Sequence, residues 1–209
     1  KSRHPAGLYV LFFSETWAHF SFFGMQAMLV YYMTKQLMFD QPTASGIYGI
    51  YTAAAYFTPF FGGMLADRVL GQRLSVIIGG LLMALGHFMM AFESLFFPAL
   101  ALIALGNGAY VPPLTAQIGR LYREGDPKRD QAYSIYYMGI NIGGFLAPLV
   151  CGTLGELYGW HWGFATAGVG MVIGISVYLL GRSTLPPDFR ETRAEKQPLP
   201  ALTAVDWAS

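Results

Sequence analysis

The sequence predicts an all-α, polytopic membrane protein built from six transmembrane helices. Two observations lead to this fold class. The chain of 209 residues is 54% hydrophobic and only 12% charged, whereas soluble domains carry roughly 25% charged residues. The apolar residues are also gathered in long runs, and a helix that rises about 1.5 Å per residue carries such a run across a hydrocarbon layer of roughly 30 Å.

The spans follow from these runs in chain order. They are 8–33, 46–66, 74–92, 94–119, 131–155 and 162–181. The fourth contains the pair Pro112 and Pro113, which lack backbone donors, so a kink or local unwinding is expected near Val111. From Arg182 the composition becomes polar and rich in proline. We therefore expect 182–209 to be a solvent-exposed linker.

The basic residues predict the orientation of the chain. All of the 13 Lys and Arg residues except Lys35 lie on the side of the predicted bundle that holds both termini. Because cytoplasmic loops carry the excess of Lys and Arg, both termini are expected in the cytoplasm. The chain is thus expected to be a multi-pass protein of the cell (inner) membrane, with the lipid bilayer as its surroundings.

Several other function classes are not expected. The net charge is only +1, and no basic cluster is interleaved with aromatic residues, so no nucleic acid partner is expected. A single cysteine, Cys151, excludes an intramolecular disulfide and a multi-cysteine metal site. The chain has no His-Glu-x-x-His, no Gly-x-Ser-x-Gly and no Gly-rich phosphate loop with lysine. We expect no metal, no cofactor and no enzymatic activity.

A carboxylate and an imidazole lie within the first span. Glu15 follows Pro5 by about 15 Å along a helix axis, and His19 is one turn further on the same face. Ionisable groups at this depth are costly and usually line a protein interior or an aqueous path. We expect Glu15 and His19 to share a proton near physiological pH. The alternative is that Glu15 only hydrogen-bonds a neighbouring helix and His19 is satisfied in the interior.

Three stretches resemble known transporters. Residues 62–73 (GGMLADRVLGQR) resemble the loop between helices two and three of the major facilitator superfamily. Residues 126–130 (DPKRD) and 133–143 (YSIYYMGINIG) are similar to the fifth-helix signature of the proton-dependent oligopeptide transporter family. Gly106-Asn107-Gly108 and residues 159–164 (GWHWGF) fit the same family. The resemblance covers nearly all of the chain from Glu15 to Gly181.

The resemblance implies a transporter of two six-helix bundles with a peptide site between them. Residues 1–181 would be the N-terminal half of this fold, and 182–209 would lead to a C-terminal six-helix half. The implied function is proton-coupled uptake of di- and tripeptides by alternating access, in which one bundle rocks against the other. The alternative is a facilitator or symporter for another small solute, such as a sugar or a drug. A third class is a membrane scaffold or interaction protein, which would not need a carboxylate such as Glu15 in the middle of the membrane.

Two departures from the family pattern concern positive charge. The family carries Glu-x-x-Glu-Arg in its first helix, whereas here Ala18 stands in place of the second glutamate and His19 in place of the arginine. Val111 occupies the position of a fourth-helix lysine. In the family these cations hold the peptide carboxylate and help to couple it to protons. The resemblance therefore implies an atypical member, in which Glu15 and His19 replace the missing arrangement.

The resemblance also implies substrate-binding residues. Tyr56 matches a tyrosine that faces the substrate, and Asn141 matches an asparagine that contacts the peptide backbone, which suits an amide with donors and an acceptor. Tyr136 and Tyr137 are further candidates. Phe22 and Phe23 replace hydroxylated rings and should make one wall of the cavity more apolar.

A cytoplasmic gate is expected between the second and third spans. It would consist of Asp67, Arg68 and Arg73. A carboxylate at the membrane edge can cap a helix N-terminus and pair with arginines, which would hold one face of the transporter closed. The alternative is a solvated turn without a gating role.

Overall fold

The computed structural model describes residues 3–188, and within that range it contains helices and turns but no strand. The helices are α1 (Ala6–Lys35), α2 (Gln41–Leu65), α3 (Gln72–Met89), α4 (Phe96–Arg120), α5 (Lys128–Ala147), α6 (Thr153–Tyr158) and α7 (Trp160–Gly181). A π-helical turn, Pro148–Gly152, joins α5 to α6 in one helical segment. A second π-helical turn, Ala66–Leu70, follows α2. Short 3₁₀ turns occupy Glu93–Leu95 and Arg182–Thr184.

The chain forms an all-α membrane bundle. Four helical segments of the described part are long and apolar enough to cross a membrane: Gln72–Met89, Glu93–Arg120, Lys128–Tyr158 and Trp160–Thr184. The helices α1 and α2 have 30 and 25 residues, and they coincide with the first two expected spans to within a few residues. That these two also cross the bilayer stays a prediction.

The helices pack as a series rather than around a single centre. Helix α1 packs between α5 and α7, and α4 packs between α2 and α3. Contacts between α3 and α7 join the two groups. Three apolar residues along α1, namely Leu8, Met25 and Met33, have no exposed surface. The interior therefore runs along the whole length of α1, which positions Glu15 inside the bundle.

Glycines allow the backbones of α2, α3 and α4 to approach closely. A Cβ atom added at Gly79 would lie 2.7 Å from the carbonyl oxygen of Gly106, and one added at Gly108 would lie 2.6 Å from the Cβ atom of Thr58. Close approach through small residues is how helices gain packing contacts in lipid, where no hydrophobic effect drives them together. Gly79, Gly106 and Gly108 are therefore contact positions.

Helix α4 continues through Pro112 and Pro113 without the local unwinding expected near Val111, and a kink there stays a prediction. A proline at position 113 cannot donate to the carbonyl of Ala109, four residues earlier. That carbonyl instead accepts a hydrogen bond of 2.8 Å from the Ser75 hydroxyl of α3. The neighbouring helix thus satisfies the freed acceptor, which is the usual way in which spans tolerate proline.

Within the described part of the expected solvent-exposed linker, Leu185 is buried, contrary to the prediction from composition, whereas Arg182–Thr184, Pro187 and Asp188 are exposed. Residues 185–188, here called the strap, lie against the ends of the helices, and Leu185 is only 6% exposed. An apolar side chain in a polar, proline-rich stretch finds a place in the core, which composition alone does not reveal. The remainder of the predicted linker, 189–209, lies outside the described residues.

Candidate functional site

Glu15 and His19 form a pair on α1. The Nδ1 atom of His19 lies 3.0 Å from the Oε1 atom of Glu15. The Glu15 side chain has no exposed surface, whereas 17% of the His19 side chain is exposed. The Nε2 atom of His19 has no hydrogen-bond partner among residues 3–188, and the imidazole lies 5.5 Å from the ring of Phe23. The histidine therefore lies between the buried carboxylate and the surface of the bundle.

The carboxylate of Glu15 lies where α1 meets α4 and α5. Two tyrosines, Tyr110 of α4 and Tyr136 of α5, interact electrostatically with it. The Tyr110 hydroxyl donates to the carbonyl of Ser14 at 3.1 Å, and the Tyr136 hydroxyl shares a hydrogen bond of 3.0 Å with Thr115. A buried carboxylate is costly unless it is paired or protonated. The contact of 3.0 Å pairs this carboxylate with His19, and a proton shared between the two stays a prediction.

A cavity of about 580 Å³ opens between α1, α2 and the α5 segment. It is lined by Phe23, Gln26, Ala27, Tyr48, Ile140, Asn141, Gly144, Phe145 and Pro148. None of these side chains carries a charge, and the polar ones are two amides and a phenol. Two of the residues expected at the substrate, Phe23 and Asn141, line the cavity.

The side-chain amides of Asn141 and Gln26, which line the cavity, each keep their oxygen available as a hydrogen-bond acceptor. The Nδ2 atom of Asn141 donates to the carbonyl of Tyr137 at 2.9 Å, and the Nε2 atom of Gln26 is 3.4 Å from the Thr52 hydroxyl. Each amide therefore has its oxygen left to accept from a ligand. Sequence reasoning missed Gln26 and Tyr48, although Gln26 lies seven residues after His19 and hence on the same helical face.

The other expected substrate residues do not line this cavity. Phe22 is buried and stacks on Tyr51 with ring centroids 6.3 Å apart. Tyr136 is 1% exposed and lies in the core beside Glu15. Tyr56 and Tyr137 are 69% and 55% exposed on α2 and α5. Contact of these four residues with a substrate stays a prediction.

The expected gate residues lie at one end of the bundle. Asp67 and Arg68 belong to the π-helical turn that follows α2. The Oδ1 atom of Asp67 accepts from the side-chain amide of Gln72 at 3.2 Å, and the Oε1 atom of Gln72 accepts from Arg120 at 3.0 Å. Gln72, which the sequence did not indicate, therefore links the loop after α2 to the end of α4.

Arg73 contacts the strap rather than Asp67. Its Nη2 atom donates to the carbonyls of Leu185 and Pro186 at 3.1 and 2.6 Å. Its backbone N–H donates to the Oδ1 atom of Asp188 at 3.0 Å. Asp188 thus supplies the carboxylate at the N-terminus of α3, a role that the sequence pattern had given to Asp67. A gating role for Asp67, Arg68 and Arg73 stays a prediction.

Comparison with known proteins identifies the family. The family model PTR2, described as the POT family, matches residues 73–207. The chain is 44% identical over 187 residues to the uncharacterized transporter YclF of Bacillus subtilis (strain 168), covering 86% of this chain and 38% of that protein. It is 39% identical over 188 residues to the di-/tripeptide transporter of Lactococcus lactis subsp. lactis (strain IL1403), covering 85% of this chain and 38% of that protein.

The fold agrees with a solved transporter. A crystal structure of the peptide transporter POT in complex with sulfate superposes with a TM-score of 0.85 at 42% identity, covering 92% of this chain and 42% of that one. The chain spans about two fifths of the length of the curated relatives it matches. The helices therefore correspond to one half of such proteins, and the chain belongs to the POT family.

Proposed function

We propose that this chain acts as the N-terminal half of a secondary transporter that takes up di- and tripeptides together with protons. One observation carries the proposal: a buried carboxylate, Glu15, is paired at 3.0 Å with a histidine that reaches the surface beside the cavity wall. The relative from Lactococcus lactis is named a di-/tripeptide transporter. Its name favours peptides over the alternative of a sugar or drug facilitator, and we expect no enzymatic activity.

The proposed binding wall suits a peptide backbone. Asn141 and Gln26 offer amide oxygens to backbone N–H groups, and their N–H groups can turn to backbone carbonyls. Phe23 and Phe145 supply apolar area that tolerates different side chains. Such a wall binds the peptide backbone, which all short peptides share, and discriminates little between peptide side chains. Uptake of di- and tripeptides of mixed sequence requires this.

The proposed coupling rests on how positive charge is distributed. Every Lys and Arg of residues 3–188 lies in a loop or near a helix end. His19 is therefore the cation available to a peptide carboxylate on this wall. The Glu15–His19 pair is neutral with one proton and positive with two. A carboxylate that approaches His19 is thus neutralised only when a further proton binds, which couples peptide to proton.

The remaining partners follow from the same arrangement. Alternating access needs a second bundle that rocks against this one, and a C-terminal six-helix half is the proposed partner. The basic residues at the end of the bundle that holds the described termini support an inner-membrane orientation with both termini in the cytoplasm.

The test is uptake by the full-length protein reconstituted in liposomes. We expect a labelled dipeptide to accumulate when the outside is acidic, and unlabelled di- and tripeptides to compete with it. Free amino acids, sugars and neutral drugs form the comparison panel. Uptake of a sugar or drug that dipeptides do not inhibit, or dipeptide uptake that ignores the proton gradient, would contradict the proposal.

A further inference from the structure

A second cleft, here called the α3–α7 cleft, lies away from the Glu15–His19 pair. It encloses about 260 Å³ between the first turns of α3 and the last turns of α7. Arg73, Leu74 and Ile77 line it from α3, and Leu179 and Arg182 line it from α7. The cavity assigned to peptide is lined from α1, α2 and the α5 segment instead. The α3–α7 cleft thus belongs to a different face of the bundle.

The cleft carries an excess of positive charge. Arg182 is exposed, and its guanidinium has no partner among residues 3–188. The Nε atom of Arg73 is buried and has no hydrogen-bond acceptor among residues 3–188. Asp188 also borders the cleft, but its carboxylate accepts from the Arg73 backbone N–H and interacts with Arg120 behind it. Two guanidinium groups therefore face one carboxylate that other groups already engage.

Apolar surface continues directly from these cations. Leu74 and Leu179 line the cleft and are 44% and 38% exposed. The neighbouring Leu180 is 85% exposed. Both helices belong to segments that are long and apolar enough to cross a membrane. The cleft therefore lies where an apolar, lipid-facing surface meets a pair of arginines, at the level expected for lipid headgroups.

We propose that the α3–α7 cleft binds an anionic phospholipid, with the phosphate between Arg73 and Arg182 and the acyl chains along Leu74 and Leu179. Arginine suits phosphate because its planar fork presents several donors at once. A free phosphate ion would use the same arginines but would gain nothing from the leucines. The leucines beside the charge are thus the reason to assign a lipid rather than a soluble anion.

The experiment counts lipids that stay bound to the purified full-length protein in native mass spectrometry. Phosphatidylglycerol and phosphatidylcholine are the probes. We expect wild-type protein to retain phosphatidylglycerol preferentially, and R182Q to weaken that retention about fivefold, as the loss of one arginine near a membrane surface predicts. The matched control is R123Q, since Arg123 is also exposed but lies in the loop after α4.

Two further arms separate lipid from phosphate. L179Q should weaken retention of phosphatidylglycerol, and millimolar inorganic phosphate should not displace the lipid. Equal retention by R182Q and wild type would overturn the proposal, as would an equal loss in R123Q. Displacement by inorganic phosphate, or no effect of L179Q, would show a site for soluble anions and would also overturn it.

Discussion

The Nδ1 atom of His19 lies 3.0 Å from the Oε1 atom of Glu15, and the histidine alone of the two has exposed side-chain surface. We therefore expect a proton that comes from water to meet the imidazole before the carboxylate. This order distinguishes the pair from a fixed arginine–carboxylate pair, since an imidazole can both accept a proton and release it near neutral pH.

The first prediction concerns this pair. E15Q should remove the acceleration of peptide uptake by external acid, because the neutral amide cannot hold the second proton. H19N should also remove this acceleration, because it removes the imidazole that is expected to receive the proton from water. The measurement is initial uptake between pH 5 and pH 8 in liposomes that contain the full-length protein.

E156Q is the matched control, since Glu156 is an exposed carboxylate at the end of α6. Its pH profile should match that of the wild type. Unchanged proton coupling in both E15Q and H19N would remove Glu15 and His19 from the mechanism.

Asn141 should contribute to peptide binding. N141A removes the one amide that the cavity takes from the α5 segment, and the loss of about 1 kcal/mol for one hydrogen bond corresponds to roughly fivefold weaker binding. Binding of a dipeptide to purified protein measures this. S176A is the control, because Ser176 also bonds to its own helix but lies on α7, outside the cavity. Equal affinities for N141A and S176A would refute the assignment.

The glycine contacts predict opposite effects of the same substitution at two positions. G79A should destabilise the fold by about 1–3 kcal/mol, because the new Cβ would lie 2.7 Å from the Gly106 carbonyl. G49A meets no atom within 4 Å, and it should stabilise α2 by about 0.4–1 kcal/mol. Thermal unfolding of the purified protein in detergent gives both values, and a G79A protein as stable as the wild type would contradict this packing.

The strap should depend on Arg73. R73Q removes the donors to Leu185 and Pro186, so the chain around Arg182 should become about tenfold more sensitive to trypsin. The R123Q variant, altered in the loop after α4, should be cleaved after Arg182 at the wild-type rate. Equal cleavage in R73Q and wild type would mean that other contacts hold the strap.

Asp40 should make the stability of the fold depend on pH, and the structure determines the direction of that dependence. Its carboxylate accepts from the backbone N–H of Thr43 at the start of α2, which holds the pKa of Asp40 below its usual value. The stabilisation is present at neutral pH and is lost as the pH falls through the lowered pKa. D40A should therefore be less stable than wild type at pH 7 and equal to it at strongly acid pH. A difference that persists in acid would contradict the capping role.

Much of the fold could be predicted from local pattern. Long apolar runs predict helices wherever they occur, because a backbone in lipid must satisfy its hydrogen bonds internally. The stretches 62–73 and 133–143 indicate the family from the sequence alone. Which face of α1 is buried was harder to predict. A helix that is apolar on all sides has no hydrophobic periodicity that marks its buried face.

By itself, then, the sequence determined that this protein is a helical membrane bundle of one transporter family, with a lone acid and histidine inside its first helix. The tertiary structure decided that Gln26 and Tyr48 line the cavity while Tyr56 does not, and that Asp188 rather than Asp67 accepts from a backbone N–H at the start of α3. The physical reason is distance along the chain. Composition and spacing act within one helix, whereas burial and hydrogen-bond partners depend on helices that meet only after folding.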